Sequence, residues 1–264
     1  MKISEVKKLL EELEIKPLKS LGQNFLIDES IIQKICTYKD LPSFDRVIEI
    51  GPGLGSLTSN FEDFKNKVSL IELDRSLSEY WTNKGFDVHH QDALKFDWTS
   101  VGEKAMLISN LPYQISSRLL IELFCVGAPF DEMVLMFQKE VGERIKAEPE
   151  DKKQYGLLSI ICQLGWSVRA VTKAPNRCFY PAPEIESVVL SFSKKPLEGL
   201  RKRKAFVNHL KLLFGARRKK MNGVFKKYKL EWPEELKGYL EMRPDQINAE
   251  EHLKLYKFVE ENHV

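Results

Sequence analysis

The stretch RVIEIGPGLGSLTSNF (46–61), followed at once by KVSLIEL (67–73), decides the fold. RVIEI (46–50) reads as a buried strand, and GPGLGSLTSNF (51–61) reads as a turn that opens a helix. KVSLIEL (67–73) is a second strand, and Asp74 to Asn83 a second helix. FDVHHQD (86–92), EKAMLISN (103–110) and EMVLMFQ (132–138) are the third to fifth strands. This β–α–β alternation implies a parallel sheet with helices on both faces, and right-handed crossovers narrow the topology to a doubly wound α/β sheet. WSVRAVT (166–172) and ESVVLSFS (186–193) look like closing strands, with a proline-rich loop (Pro175, Pro181, Pro183) between them. Helices are expected over KEVGERIKA (139–147) and around Tyr155–Leu164. Beyond Pro196 the pattern is all helical. The expected organisation is an α/β domain over 1–195, with an N-terminal helical extension over about 1–40, and a small helical domain over 196–264.

Composition bounds the function. The chain has 264 residues, 43% hydrophobic and 30% charged, which is ordinary for a soluble globular protein. The four cysteines (Cys36, Cys125, Cys162, Cys178) form no CxxC pair, which argues against a disulfide framework or thiolate zinc site. The five histidines show no metal-ligand spacing, and no P-loop or GxSxG elbow is present, so no metal is expected. No apolar run reaches the roughly 18 residues of a membrane span, and the charged N-terminus lacks a signal-peptide core. The expected location is the cytoplasm with no membrane association, and nothing demands more than a monomer.

Charge is unevenly distributed. Lys194 to Lys229 holds 14 basic residues and one acidic, whereas the remainder holds 27 basic and 37 acidic. A basic segment in an otherwise acidic protein suggests a nucleic-acid partner, although a solvated helix face fits a charge run as well. Phe206, Leu210, Leu213 and Phe214 interleave at helical spacing, and Arg217, Arg218, Lys219 and Lys220 follow Gly215. These four are the candidate RNA-binding residues.

The strand ends carry the candidate chemistry, because open α/β sheets bind ligands at their carboxyl edge. Gly51-Pro52-Gly53-Leu54-Gly55 lets the backbone approach a ligand, but alone it fits a plain turn or another cofactor equally. Glu72, 21 residues after Gly51, suits the ribose hydroxyls of a nucleoside, and Asp92 suits an adenine amino group. Pro52 does not suit a loop that aims amides at a pyrophosphate. The set suits S-adenosyl-L-methionine, which has a nucleoside and a sulfonium but no phosphate. Asn110-Leu111-Pro112-Tyr113 follows the fourth strand. The Asn110 side-chain oxygen and the Leu111 carbonyl offer two acceptors for an exocyclic amine, Pro112 fixes the backbone between them, and Tyr113 offers a stacking face. Such a grip favours a tetrahedral nitrogen whose lone pair meets the sulfonium methyl in line. The base must first leave its helix. Phe179 and Tyr180 are candidates for the opposite wall, and a core or loop role fits them as well.

Taken together these motifs resemble the RNA adenine N6-dimethyltransferases, specifically the small-subunit (16S) rRNA branch, to which the kasugamycin-resistance dimethyladenosine transferase belongs. LGQNFLID (21–28), EIGPGLGSLT (49–58), IELDRSL (71–77), QDALKFD (91–97), SNLPYQISS (109–117) and FQKEVGERI (137–145) carry the resemblance. So do YGLLS (155–159), FYPAPEIES (179–187), ARRKKMNGVF (216–225) and RPDQINAEEHLKLYKF (243–258), in order along nearly the whole chain. The resemblance implies a Rossmann-like class I methyltransferase fold. It implies cofactor contacts at Gln23, Asn24, Leu26, Gly51, Gly53, Glu72, Asp92 and Asn110. It implies a target base held by Asn110, Leu111, Pro112 and Tyr113 with Phe179 stacking on it. The implied substrate is a pair of adjacent adenines in the 3′-terminal hairpin loop of 16S rRNA, each methylated twice in the assembling 30S subunit. The alternative is an RNA-binding assembly or transcription factor on the same fold without essential catalysis. Ala182 stands where the family usually has another proline.

Overall fold

A computed structural model describes residues 2–15 and 23–262, the side chain of Lys227 excepted. The first two residues of LGQNFLID (21–28) lie outside the described residues. Two compact units make up the chain. One comprises Met1–Leu119, Ala128–Gly142 and Val168–Lys194, the other Leu120–Gly127, Glu143–Ser167 and Lys195–Val264.

The first unit begins with α1 (Ile3–Glu12), β1 (Phe25–Leu26) and α2 (Glu29–Cys36). It continues with β2 (Arg46–Ile50), β3 (Val68–Glu72), α3 (Arg75–Asn83), β4 (Asp87–His90) and β5 (Ala105–Asn110). Beyond α4 (Ser116–Cys125) come β6 (Glu132–Gln138) and α5 (Lys139–Lys146). Past α6 (Leu157–Gly165) follow β7 (Trp166–Ala174), β8 (Phe179–Tyr180) and β9 (Ser187–Lys194). The main sheet has the order β4-β3-β2-β5-β6-β9-β7. Strands β2 to β6 pair in parallel, Val47 opposite Val68 and Met106 on its two sides. The central strands are buried on both faces, which is why they read as continuous apolar runs. β9 enters antiparallel to β6, a mixed edge that the alternation pattern did not specify. The order runs outward from β2 to β4, then restarts at β5 on the other side of β2. That reversal opens a crevice beyond the carboxyl ends of β2 and β5, where Gly51 and Asn110 lie.

The helix expected over 51–61 is a correction. Gly51, Gly53 and Gly55 all have positive φ (+63°, +54° and +90°), so the chain coils through turns and forms only short 3-10 segments at Thr58–Asn60 and Glu62–Lys67. α3 forms as expected. Asp74 caps it by accepting from the Leu77 N–H at 3.1 Å, worth about 1 kcal/mol, and Leu77, Ser78 and Trp81 form its buried face.

In the second unit α7 (Arg203–Gly215), α8 (Met221–Phe225), α9 (Glu234–Leu240) and α10 (Ala249–Asn262) follow the sheet strands. Leu213, Met221, Phe225, Leu236, Ile247, Leu255 and Val259 form its core. This unit is larger than residues 196–264 alone. The apolar α6, with Ile160, Ile161 and Leu164 buried, packs against α7 and α10. No helix among the described residues is long and apolar enough to cross a membrane.

Candidate active site

A single cavity in the first unit gathers most of the residues expected at the site. Gln23, Asn24, Gly51, Gly53, Glu72, Asp92, Asn110, Leu111, Pro112 and Tyr113 all line it. Each sits at or just past the carboxyl end of a strand, except Gln23 and Asn24, which precede β1.

The glycine turn is held from two sides. The Gly53 N–H donates to Glu72 Oε2 at 3.4 Å, and the Trp81 indole Nε1–H donates to the Gly53 carbonyl at 2.8 Å. Glu72 Oε1 accepts from the Asp74 N–H at 2.9 Å. Burial raises the Glu72 carboxyl above its ordinary range, against the pull of those backbone donors. Asp92 accepts from the Leu94 N–H at 2.9 Å, which fixes its turn after β4.

Asn110 donates its Nδ2–H to the Asn24 carbonyl at 3.2 Å. Only the nitrogen of an amide donates to a carbonyl, so this bond orients the side chain and makes Oδ1 its acceptor end. Tyr113 is half-buried, with its hydroxyl 2.7 Å from Ser187 Oγ, and burial raises its pKa, which keeps the phenol neutral. Ser109 Oγ donates to the Ile50 carbonyl at 2.6 Å, tying β5 to the root of the glycine turn.

The lining includes the acidic side chains of Glu72 and Asp92, a third (Glu49) that burial keeps protonated near neutral pH, and, among the described residues, no lysine or arginine. A pyrophosphate or free phosphate has no countercharge there. A nucleoside carrying a cationic sulfur and an ammonium group does, so the donor set fits S-adenosylmethionine. No group of three side chains suited to a metal exists among the described residues.

Comparison with known proteins now bears on this site. The profile of the ribosomal RNA adenine dimethylase family matches residues 16–261. The chain belongs to that family. Its relatives include the ribosomal RNA small subunit methyltransferase A of Bdellovibrio bacteriovorus, 38% identical over 94% of both chains. That of Clostridium perfringens is 37% identical over 96% of this chain and 92% of its own. A dimethyladenosine transferase from Plasmodium falciparum superposes with a TM-score of 0.76 at 27% identity, covering 91% of this chain and 98% of its own. The 23S rRNA methyltransferase ErmE, at 20% identity and a TM-score of 0.63 over 90% of this chain and 100% of its own, shares the fold. The chain is thus an rRNA adenine dimethyltransferase on a Rossmann-like sheet.

Two residues expected at the dimethylase site stand elsewhere. β1 pairs antiparallel with β8, Phe25 opposite Tyr180 and Leu26 opposite Phe179. Residues directly opposite share a face. Phe25 therefore lines the cavity, with Tyr180 packed beside it around Leu54 and Leu77. Leu26 and Phe179 take the other face, 1% and 3% exposed, inside the main core. The Leu26 side chain is thus a core residue, and in this structure Phe179 offers no ring to the cavity.

Glu49, Phe25, Leu73 and Trp81 escaped the sequence reading. Glu49 had a usable signal, a carboxylate within a strand otherwise wholly apolar. It is 2% exposed, lines the cavity and accepts from Thr58 Oγ1 at 2.7 Å. Burial pushes its carboxyl up to about 8, Thr58 opposes this, and nearby Glu72 adds to it. An unfolded glutamate titrates near 4.5, so between the two values the folded protein holds a proton that the unfolded chain has released. Stability therefore falls as pH rises through that window. Glu49→Gln keeps an acceptor for Thr58 and removes the ionisation. Its melting temperature is expected to fall less than wild type between about pH 5 and about pH 8, the residual slope coming from Glu72. Parallel melting curves contradict this.

In the second unit, Arg217 Nε lies 3.5 Å from Asp245 Oδ2, and Asp245 is buried and also paired with Arg243 at 3.2 Å. Lys220 pairs with Glu241 at 2.9 Å. Arg218 and Lys219 are exposed and have no side-chain partner among the described residues.

Proposed function

We propose that this protein transfers methyl groups from S-adenosyl-L-methionine to N6 of two adjacent adenines in the 3′-terminal hairpin loop of 16S rRNA. The product is N6,N6-dimethyladenosine, made as the small subunit assembles. The names of the relatives support the choice of subunit. The single observation that carries the chemistry is the oriented Asn110 amide, its acceptor end set by the bond to Asn24, on a cavity lined by acidic side chains.

When bound, the cofactor supplies a methyl group on a positively charged sulfur. Gly51, Gly53, Glu72, Asp92, Gln23 and Asn24 would hold it. The residues around the tetrad prepare the nitrogen. An adenine amine is a weak nucleophile because its lone pair is delocalised into the ring. Asn110 Oδ1 and the Leu111 carbonyl each accept one N6 hydrogen, which turns the nitrogen toward a tetrahedral shape and frees the lone pair. Tyr113, with its hydroxyl tied to Ser187, presents a fixed ring for the base, worth about 1–3 kcal/mol in stacking. No strong base is needed, because the proton leaves an amine that is cationic after transfer. A base reaching this cavity is unstacked, which costs least in a hairpin loop.

A direct test is thermal. Cofactor at a hundredfold excess over Kd stabilises the folded state by about 2.7 kcal/mol, and an unchanged melting temperature contradicts the assignment.

Arg217, Arg218, Lys219 and Lys220 belong to the proposed rRNA surface, with unequal shares. Phosphate contacts add about 0.7–0.9 each to the salt slope of binding. Arg218→Gln with Lys219→Gln is expected to flatten log Kobs against log salt by about 1.5. Arg217→Gln, which leaves buried Asp245 with Arg243 as its remaining ion-pair partner, is expected to lower the melting temperature with a smaller change in slope. An unaltered slope in the double variant places the RNA elsewhere.

A further inference from the structure

We propose that Trp81 is the positioning residue of the cofactor loop, an assignment that rests on the reading of the cavity as the S-adenosylmethionine site. Its indole closes a ring of hydrogen bonds. Asp74 caps α3 and donates its N–H to Glu72 Oε1 at 2.9 Å. Glu72 Oε2 accepts from the Gly53 N–H at 3.4 Å. The Gly53 carbonyl accepts from Trp81 Nε1 at 2.8 Å, and Trp81 lies two turns along the same helix. The helix thus holds Gly53 at both its N–H, through Glu72, and its carbonyl, through Trp81. The bond to Glu72 is long and the bond to Trp81 is short, so the indole sets the position of Gly53 more firmly than the carboxylate does.

The ring itself is closely packed. Trp81 is 1% exposed and packs edge-on against Tyr80 and Phe86, with centroids 4.9 Å and 5.5 Å away. It also fills the space beside Gly55, where a Cβ would lie 2.4 Å from Cζ2. Gly51, Pro52 and Gly53 of the turn line the cavity, and the Trp81 ring is not among its lining side chains. A bulky core filler would need only the ring's volume. The aimed N–H is what makes this residue specific to the loop.

The experiment titrates S-adenosylhomocysteine into wild type, Trp81→Phe and Phe192→Leu. Phe192 is fully buried in β9 and serves as a core truncation outside the site. Trp81→Phe is expected to raise Kd about tenfold, because the half-buried Gly53 carbonyl loses its donor and the turn relaxes. In steady state KM for the cofactor rises while KM for RNA stays within about twofold. Phe192→Leu is expected to lower the melting temperature yet leave the ligand Kd unchanged. In wild-type protein labelled with 15N-indole, the Trp81 Nε1–H resonance is expected to shift on adding S-adenosylhomocysteine, which tests the proposal even if Trp81→Phe folds poorly. Equal ligand affinity in folded Trp81→Phe, equal loss in the two variants, or an unmoved indole resonance in protein that binds the ligand overturns the role of Trp81. Wild-type protein that binds no S-adenosylhomocysteine overturns the cavity reading beneath it.

Discussion

Asn110→Ala is expected to slow methyl transfer by about a thousandfold while RNA affinity stays within about twofold of wild type. Removing one preoriented polar group from a reacting centre costs about 10²–10³ in rate, and here Asn110 also orders Asn24 through its 3.2 Å bond. Asn110→Asp is not expected to rescue. It retains an acceptor oxygen, but its other oxygen then faces the Asn24 carbonyl, two acceptors with no proton between them. Single-turnover methylation with isotopically labelled cofactor measures the rate, and filter binding measures the RNA affinity. Equal loss of both in a folded variant makes the tetrad a structural turn and removes its chemical role.

Gly55→Ala is expected to be the most damaging small substitution in the glycine turn. The new methyl would lie 2.4 Å and 2.5 Å from two atoms of the Trp81 ring, which is itself boxed in, and φ at Gly55 is +90°. The two penalties add to about 2–4 kcal/mol, or a fall of roughly 5–15 °C in melting temperature, with cofactor affinity lost in parallel. Gly102→Ala separates the terms. Its φ is +85°, but nothing lies within 4 Å of the added carbon, so only the backbone cost of about 1 kcal/mol remains. Similar losses at the two positions contradict the steric part of the argument.

The parallel strands were legible because β2, β3, β5 and β6 are covered on both faces and so carry unbroken apolar runs. The site was legible because its residues cluster at the ends of those runs, where the sheet order reverses. What escaped depended on long-range partners. The inward turn of Leu26 and Phe179 follows from a two-residue pairing across more than 150 positions, with no periodicity to announce it. Trp81 looked like any apolar residue on an amphipathic helix, since its target is a backbone carbonyl 28 residues away. The helix expected after Gly51 failed because Gly51, Gly53 and Gly55, at positive φ, consume the segment in turns, a geometry that glycine permits without declaring. Arg217 and Lys220 looked equivalent to Arg218 and Lys219 because Asp245 and Glu241, which engage them, lie more than 20 positions downstream.

The central claim is that one cavity delivers methyl groups to the N6 atoms of paired loop adenines. The decisive measurement incubates the purified protein and methyl-labelled S-adenosylmethionine with small subunits whose 16S rRNA lacks the modification, then digests the RNA for mass spectrometry. Labelled N6,N6-dimethyladenosine is expected at two neighbouring positions of the 3′-terminal hairpin and at no other. Label on another base, or no label from protein that demonstrably binds the cofactor, contradicts it.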